Sequence, residues 1–98
     1  MGYNAADTSY VLDYVNAERK RQEQLKIEGR FTHTCADIEL TPSEKVAVLA
    51  EEFGEVAHEV TESIGNHAEL DRAALRKELI QVAAVAVAWV ECLDREEP

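Results

Sequence analysis

The sequence predicts an all-α fold, a small helical bundle completed by oligomerisation, and three observations predict it. Two prolines and four glycines in 98 residues leave long stretches without helix breakers, and Ala and Glu are abundant. Turn residues do not recur at the short spacing expected of strands. Apolar residues recur every three or four positions over the second half of the chain. A chain of this length holds one domain, residues 1–98, with 1–6 expected as a flexible lead-in.

Each element has its own signal. Asp7 or Thr8 can cap a first helix that gathers Val11, Tyr14, Val15, Gln22 and Leu25 on roughly one side. Its second half, Asn16 to Gln24, is almost wholly polar, and Gly29 ends it. Arg30 to Leu40 has no clear period and reads as a structured loop. Thr41-Pro42-Ser43-Glu44 then offers a capping threonine, a proline at the first helical position and a glutamate that completes a capping box. The helix it opens carries Val46, Leu49, Phe53, Val56, Val60 and Ile64, and Gly65-Asn66 closes it. The third helix starts between Asn66 and Asp71 and runs to about Asp94. Its main stripe is Leu75, Leu79, Val82, Ala86, Trp89, Val90 and Leu93, yet Ile80, Ala84, Val87 and Ala88 make the opposite side apolar too. A helix apolar all round must be covered on both sides. Two shorter helices do not easily do that, so a second subunit is the expected cover, as a homo-oligomer (dimer or tetramer).

Composition narrows the function classes. Ten basic against twenty acidic residues give a formal net charge of −10. That balance argues against binding a nucleic-acid polymer, which needs a basic face. The longest uninterrupted apolar run, Val82 to Val90, is about half of a membrane-spanning helix, so no membrane partner is expected. No secretory leader pattern opens the chain. Cys35 and Cys92 alone make no disulfide framework, and a cytoplasmic location is the expectation.

The acidic charge is concentrated on the second helix, at Glu44, Glu51, Glu52, Glu55, Glu59 and Glu62 against the single Lys45. At 100° per residue, Glu51, Glu55 and Glu62 cluster opposite the Leu49 stripe, while Glu52 and Glu59 lie at its margin. A solvated acidic face would explain the cluster. Against it, like charges four residues apart destabilise a helix, and Glu52 beside the apolar stripe would be a partly buried carboxylate. A hard divalent cation relieves both costs, since Mg²⁺ binds carboxylate oxygens together with waters and substrate phosphates. Glu78 and Gln81 stand one turn apart on the third helix. In antiparallel packing they face Glu52 and Glu55; alone, Glu78 pairs as well with Lys77 or Arg76.

These residues carry a resemblance. Glu51-Glu52-Phe53-Gly54-Glu55 followed by Glu78-x-x-Gln81 resembles the EExxE…ExxD signature of the MazG-like all-α NTP pyrophosphatases. Val46 to Ala57 is similar to the helix bearing that motif. Glu18-Arg19-x-Arg21-Gln22-x-x-x-Lys26-x-x-Gly29 and Leu75 to Trp89 resemble the small phage and bacterial branch, so the likeness spans about residues 11–93. It implies hydrolysis of a nucleoside triphosphate, NTP or dNTP, to the monophosphate and pyrophosphate by a metal-activated water. By position it makes Glu51, Glu52, Glu55 and Glu78 the catalytic and Mg²⁺ (or Mn²⁺) ligand candidates, with Gln81 a weak ligand where the family usually has Asp. A neutral amide there removes one charge from the site. The competing expectations are therefore a catalytically inactive nucleotide- or metal-binding module and a helical oligomerisation protein.

Triphosphate also calls for cations, and arginine's planar fork suits it. Arg19, Arg21, Lys26 and Lys45 are the phosphate-binding candidates, with Arg30 and Lys77 further off, although each also reads as a solvated surface residue. Phe31 or Trp89 could stack on a base, Trp89 reading more readily as core. His33-x-Cys35 with distant His58 and His67 falls short of the four converging ligands of a zinc site.

Overall fold

The computed structural model describes residues 2–96, and within them the chain forms three helices. These are α1 (Ala5–Ile27), α2 (Pro42–Gly65) and α3 (Arg72–Glu96). The all-α expectation holds. No helix among the described residues is long and apolar enough to cross a membrane.

The start of α1 differs from the sequence expectation. Its cap is Asn4, not Asp7 or Thr8, because the Asn4 Oδ1 accepts from the Ala6 and Asp7 amides at 2.9 and 3.1 Å. Ala5 and Ala6, read as lead-in, are already helical; Met1 lies outside the described residues. At the other end Gly29 takes φ +78°, and the Arg30 amide donates to the Leu25 carbonyl at 2.8 Å, which closes the last turn as a glycine C-terminal motif does.

At the start of α2 the Thr41 Oγ1 accepts from the Glu44 amide at 3.2 Å, and the Glu44 carboxylate accepts from the Thr41 amide at 3.1 Å. The predicted capping box is thus present, and these bonds hold the Glu44 carboxyl below its usual range. Asp71 caps α3 through its Oδ1, which accepts from the Ala74 amide at 3.0 Å, and the helix continues two residues past the expected Asp94.

The three helices run up, down and up. α3 lies between the other two and packs against both. The α2–α3 pair is antiparallel, as the facing positions Lys45–Cys92 and Glu52–Gln81 show. Between α1 and α2 the loop folds inward, so that Cys35 and Ala36 are buried with Val85 and Ala88, flanked by Leu40, Val48, Leu49 and Trp89. Three ties hold this loop. Lys26 Nζ meets Asp37 Oδ1 at 2.6 Å, the Thr34 hydroxyl donates to Glu23 at 2.7 Å, and Arg95 donates to the Ala36 carbonyl at 3.2 Å. Burial pushes the Asp37 carboxyl up, but the Lys26 ammonium and the Thr34 amide outweigh it, and the net shift is down.

This packing divides α3 unequally. Ala84 and Ala88, on the side opposite the main stripe, are fully buried within the chain. The stripe expected to be the main core face is instead largely bare, with Leu79, Val90 and Leu93 exposed. On α2, Val46, Phe53, Val60 and Ile64 are exposed as well. The buried apolar side chains of the described residues are all alanine, cysteine or valine. Of the larger apolar groups, Leu49 and Trp89 are half-buried against this core, while Phe53, Ile64, Leu79 and Leu93 face solvent.

Candidate functional site

Helical spacing sets the site. Counting 100° per residue from the core-facing Lys45, Val48, Glu51, Glu52 and Glu55 point to the side of α2 that faces α1 and the loop. Val46, Phe53 and Val60 point to the other side. A cavity of about 250 Å³ opens on the first side, lined by Glu18, Arg21 and Gln22 of α1, Phe31 to Cys35 of the loop (Thr32 excepted), Val48, Glu51 and Glu52 of α2, and Gln81 and Val85 of α3. It is smaller than the roughly 300–1,000 Å³ of pockets that enclose a drug-sized ligand. A ligand of that size would therefore place one end inside and extend over the rim.

The acidic residues meet across the α2–α3 seam. With its amide oriented by its hydrogen-bond partners, Gln81 Nε2 donates to Glu78 Oε2 at 3.0 Å and to Glu52 Oε2 at 3.3 Å. Gln81 thus acts as a neutral clamp between two carboxylates that would otherwise repel. Glu52 is half-buried, and its carboxyl is held above the usual carboxylate range. Burial is the main cause, followed by the negative charges of Glu78, Glu51, Glu55 and Glu18. Glu51 and Glu55 are exposed; Glu51 lines the cavity, whereas Glu55 and Glu78 are not among its lining residues.

The phosphate-binding candidates separate. Arg21 lines the cavity with its guanidinium held by Glu18 in a two-pronged pair, both contacts at 2.8 Å. Its charge is favoured first by that pair and, against partial burial, also by Glu52. Arg19 points elsewhere. It is buried against α3, with Nε and Nη2 donating to the two Glu91 oxygens at 2.8 and 3.0 Å and Nη1 donating to Glu23 at 2.9 Å. Lys26 is committed to Asp37, and Lys45 is buried against Cys92. Neither of them lines the cavity. Of the four, only Arg21 is brought to the carboxylates.

Arg19 therefore fastens α1 to α3, and the bidentate contact holds the Glu91 carboxyl below its usual range. Arg19→Ala leaves Glu91 with the longer 3.4 Å contact to Arg95 and is expected to cost about 2 kcal/mol of unfolding free energy, less than a fully buried pair because Glu91 is also partly exposed. Chemical denaturation of Arg19→Ala, Glu91→Ala and the double variant checks this. Strict additivity would show that the pair contributes nothing.

Glu18, Gln22 and Thr34 line the cavity without having been sequence candidates. The three-residue spacing of Glu18 and Arg21 on one helix face is the signal that could have paired them. Phe31, weighed for base stacking, does line the cavity, whereas Trp89 packs on the core. His33 also lines it, with Nδ1 3.6 Å from Asp37.

Oxygen donors of Glu51, Glu52, Glu55 and Glu78 are the hard ligands that Mg²⁺ or Mn²⁺ takes, and the neighbouring carboxylates add to burial in raising the Glu52 carboxyl. The donor set fits such an ion in kind. In spacing, no three His, Cys, Asp or Glu side chains among the described residues converge as a preformed metal cluster, and Glu52 and Glu78 are bridged instead by the Gln81 amide. Compared with protein-family models, with curated proteins and with solved structures, the chain matches none.

Proposed function

We propose that this protein is a metal-dependent nucleoside triphosphate pyrophosphohydrolase of the MazG-like all-α kind, releasing pyrophosphate and a nucleoside monophosphate. The observation that carries the reading is the meeting of Glu52, Gln81 and Glu78 across α2 and α3, beside a cavity lined by Arg21 and Phe31. In this reading Glu51, Glu52, Glu55 and Glu78 hold Mg²⁺ or Mn²⁺. Such an ion supplies polarisation of the phosphoryl oxygens and a bound water of lowered pKa. Arg21, pre-oriented by Glu18, grips the phosphates outside the carboxylates, and the Phe31 ring offers a face to the base. Arg19, Lys26 and Lys45 are left out of phosphate binding by the contacts that occupy them.

The test is release of pyrophosphate from a panel of NTPs and dNTPs with Mg²⁺ or Mn²⁺. Release from at least one of them is expected, and Arg21→Ala should raise the KM for it about tenfold, the loss of one charge-assisted contact. No release from any substrate by folded protein would end the enzyme reading. The Gln81 clamp favours one alternative, because an amide that holds the carboxylates without metal also suits a module that binds nucleotide and does not turn it over. That alternative gives thermal stabilisation by metal plus nucleotide with no pyrophosphate.

The working unit in this proposal is a homodimer, with tetramers as its further association. On α2, Val46, Phe53 and Val60 repeat every seven residues, with Ala50 and Ala57 between them and Ile64 one turn beyond, all on the same side. On α3, Leu79, Ala86 and Leu93 repeat every seven residues, with Val90 between the last two. In the antiparallel pair both stripes leave their larger side chains exposed, with Leu79 beside Val11 and Val15 of α1. A second copy turned through a two-fold axis lays the same two stripes over them, giving a four-helix core. The two free thiols, Cys35 and Cys92, fit a reducing cytoplasm as its location.

A further inference from the structure

Lys45 is 2% exposed, in the first turns of α2, and Cys92 is 1% exposed, in the last turns of α3. Lys45 Nζ lies 2.9 Å from Cys92 Sγ, its hydrogen-bond partner among the described residues, and none of the ion pairs formed there includes Lys45. A thiol is a weak partner for a buried ammonium, which ordinarily requires an anion or several acceptors. The contact therefore holds the lysine nitrogen and the cysteine sulfur side by side. The sulfur is also reachable, because Cys92 lines a surface cavity with Ala36, Asp37, Ile38, Arg95 and Glu96, and its thiol donates to Glu96 Oε1 at 3.5 Å, so a peroxide reaches the pair from the sulfur side. Cys35, the other buried thiol, is pushed up chiefly by burial, which disfavours its thiolate.

We propose that Lys45 and Cys92 form an oxidation site at which a peroxide closes a covalent Nζ–O–Sγ bridge between α2 and α3. The electrons balance with two peroxide molecules. One oxidises the Cys92 thiol to the sulfenic acid and leaves as water. The second oxidises the Lys45 amine to the hydroxylamine and leaves as water. The hydroxylamine oxygen then displaces hydroxide from the sulfenic sulfur, and that hydroxide departs with the hydroxylamine proton as a third water. Sulfur and nitrogen each lose two electrons, and the protein gains one oxygen and loses two hydrogens. Two dithiol equivalents reverse it, returning amine, thiol and water. The bridge would fasten the first turns of α2 to the last turns of α3, closing the helical hairpin that carries Glu52 and Glu78.

The experiment treats the reduced full-length protein, and a Cys35→Ala variant that removes the disulfide alternative, with hydrogen peroxide. Intact mass under denaturing conditions and a peptide map then follow. The expected product has one oxygen gained and two hydrogens lost, and joins the Lys45 peptide to the Cys92 peptide. It resists proteolysis after Lys45, melts at a higher temperature than the reduced protein, and reverts in dithiothreitol. Cys35→Ala retains it, whereas Cys92→Ala and Lys45→Met lose it. Because the map of the unmutated protein locates the bridge by itself, poor folding of Lys45→Met would leave the result readable. A Cys92 sulfenic acid without the cross-link, a Cys35–Cys92 disulfide, or no change in mass would each overturn the proposal.

Discussion

Glu52→Gln is expected to reduce pyrophosphate release by roughly 10²-fold or more and, in the presence of chelator, to raise the temperature of unfolding. The two effects have one origin. Glu52 is half-buried between Glu51, Glu55 and Glu78, and its carboxyl is held above the ordinary range first by burial and then by those charges. A carboxyl raised on folding adds stability that is fully present below its unfolded pKa and is lost as pH rises through the folded value. At neutral pH the ionised Glu52 therefore opposes the fold. Relief of like-charge repulsion of a few tenths of a kcal/mol per neighbour gives about 2–4 °C in a domain of this size. The measurement is a thermal melt in EDTA over pH 4 to 8, beside a turnover assay with Mn²⁺. The gap between Glu52→Gln and the unmutated protein should widen as pH rises. A variant both inactive and less stable would assign Glu52 to structure.

The Gln81 clamp supplies the converse experiment. Gln81→Asp places a third carboxylate where Nε2 now donates to Glu52 and Glu78, so the chelated protein should melt at a lower temperature. The stabilisation given by Mn²⁺ should grow, because a charged ligand has replaced a neutral one. Equal melting of Gln81→Asp and the parent in chelator would show that the amide does not relieve the repulsion.

Local chemistry was legible in the sequence, and long-range partnership was not. Thr41-Pro42-Ser43-Glu44 and Gly29 act on amides and carbonyls within one helical turn, and both appear as read. Glu52 and Gln81 came together because the antiparallel pairing of two regular helices follows from their connection. Asn4 was passed over because Asp7 and Thr8 are equally good caps and α1 has no dominant apolar side to mark where it begins. What buries α1 is a mostly polar seam of Val15, Arg19 and Gln22, which hydrophobic periodicity does not detect. Arg19 and Lys45 looked like surface cations, as most such residues are. The groups that bury them, Glu91 and Cys92, lie 72 and 47 residues further along the chain. The apolar residues all round α3 are evident in the sequence, whereas which of its sides the chain itself covers is not. Small side chains at Ala84 and Ala88 let the loop and neighbouring helices approach closely, so that side became the internal core.

Phe53→Glu is expected to turn the protein from a dimer into a monomer at micromolar concentration, with Val90→Glu doing the same from the facing helix. Phe53 is 63% exposed in the single chain, Ile64 69% and Val90 54%, so neither substitution disturbs the internal core, and helical content should be unchanged. In the dimer each copy would instead bury a carboxylate among apolar side chains. A penalty of about 3 kcal/mol per dimer weakens association roughly 100-fold. Tyr10→Glu, at an exposed position of α1 away from the stripes, is the matched control and should leave the dimer intact. Sedimentation equilibrium of the four proteins decides the matter; a monomeric parent, or a Phe53→Glu variant as dimeric as its parent, would reject the interface. Stability carries the same information through mass action, since a protein whose exposed apolar groups are buried only on association melts at a temperature that rises with its concentration. The monomeric variants should lose that dependence and melt lower throughout. Because Glu51 and Glu55 lie on the opposite side of α2 from Phe53, any fall in turnover in these variants would reach the carboxylates through the α2–α3 seam rather than through a shared surface.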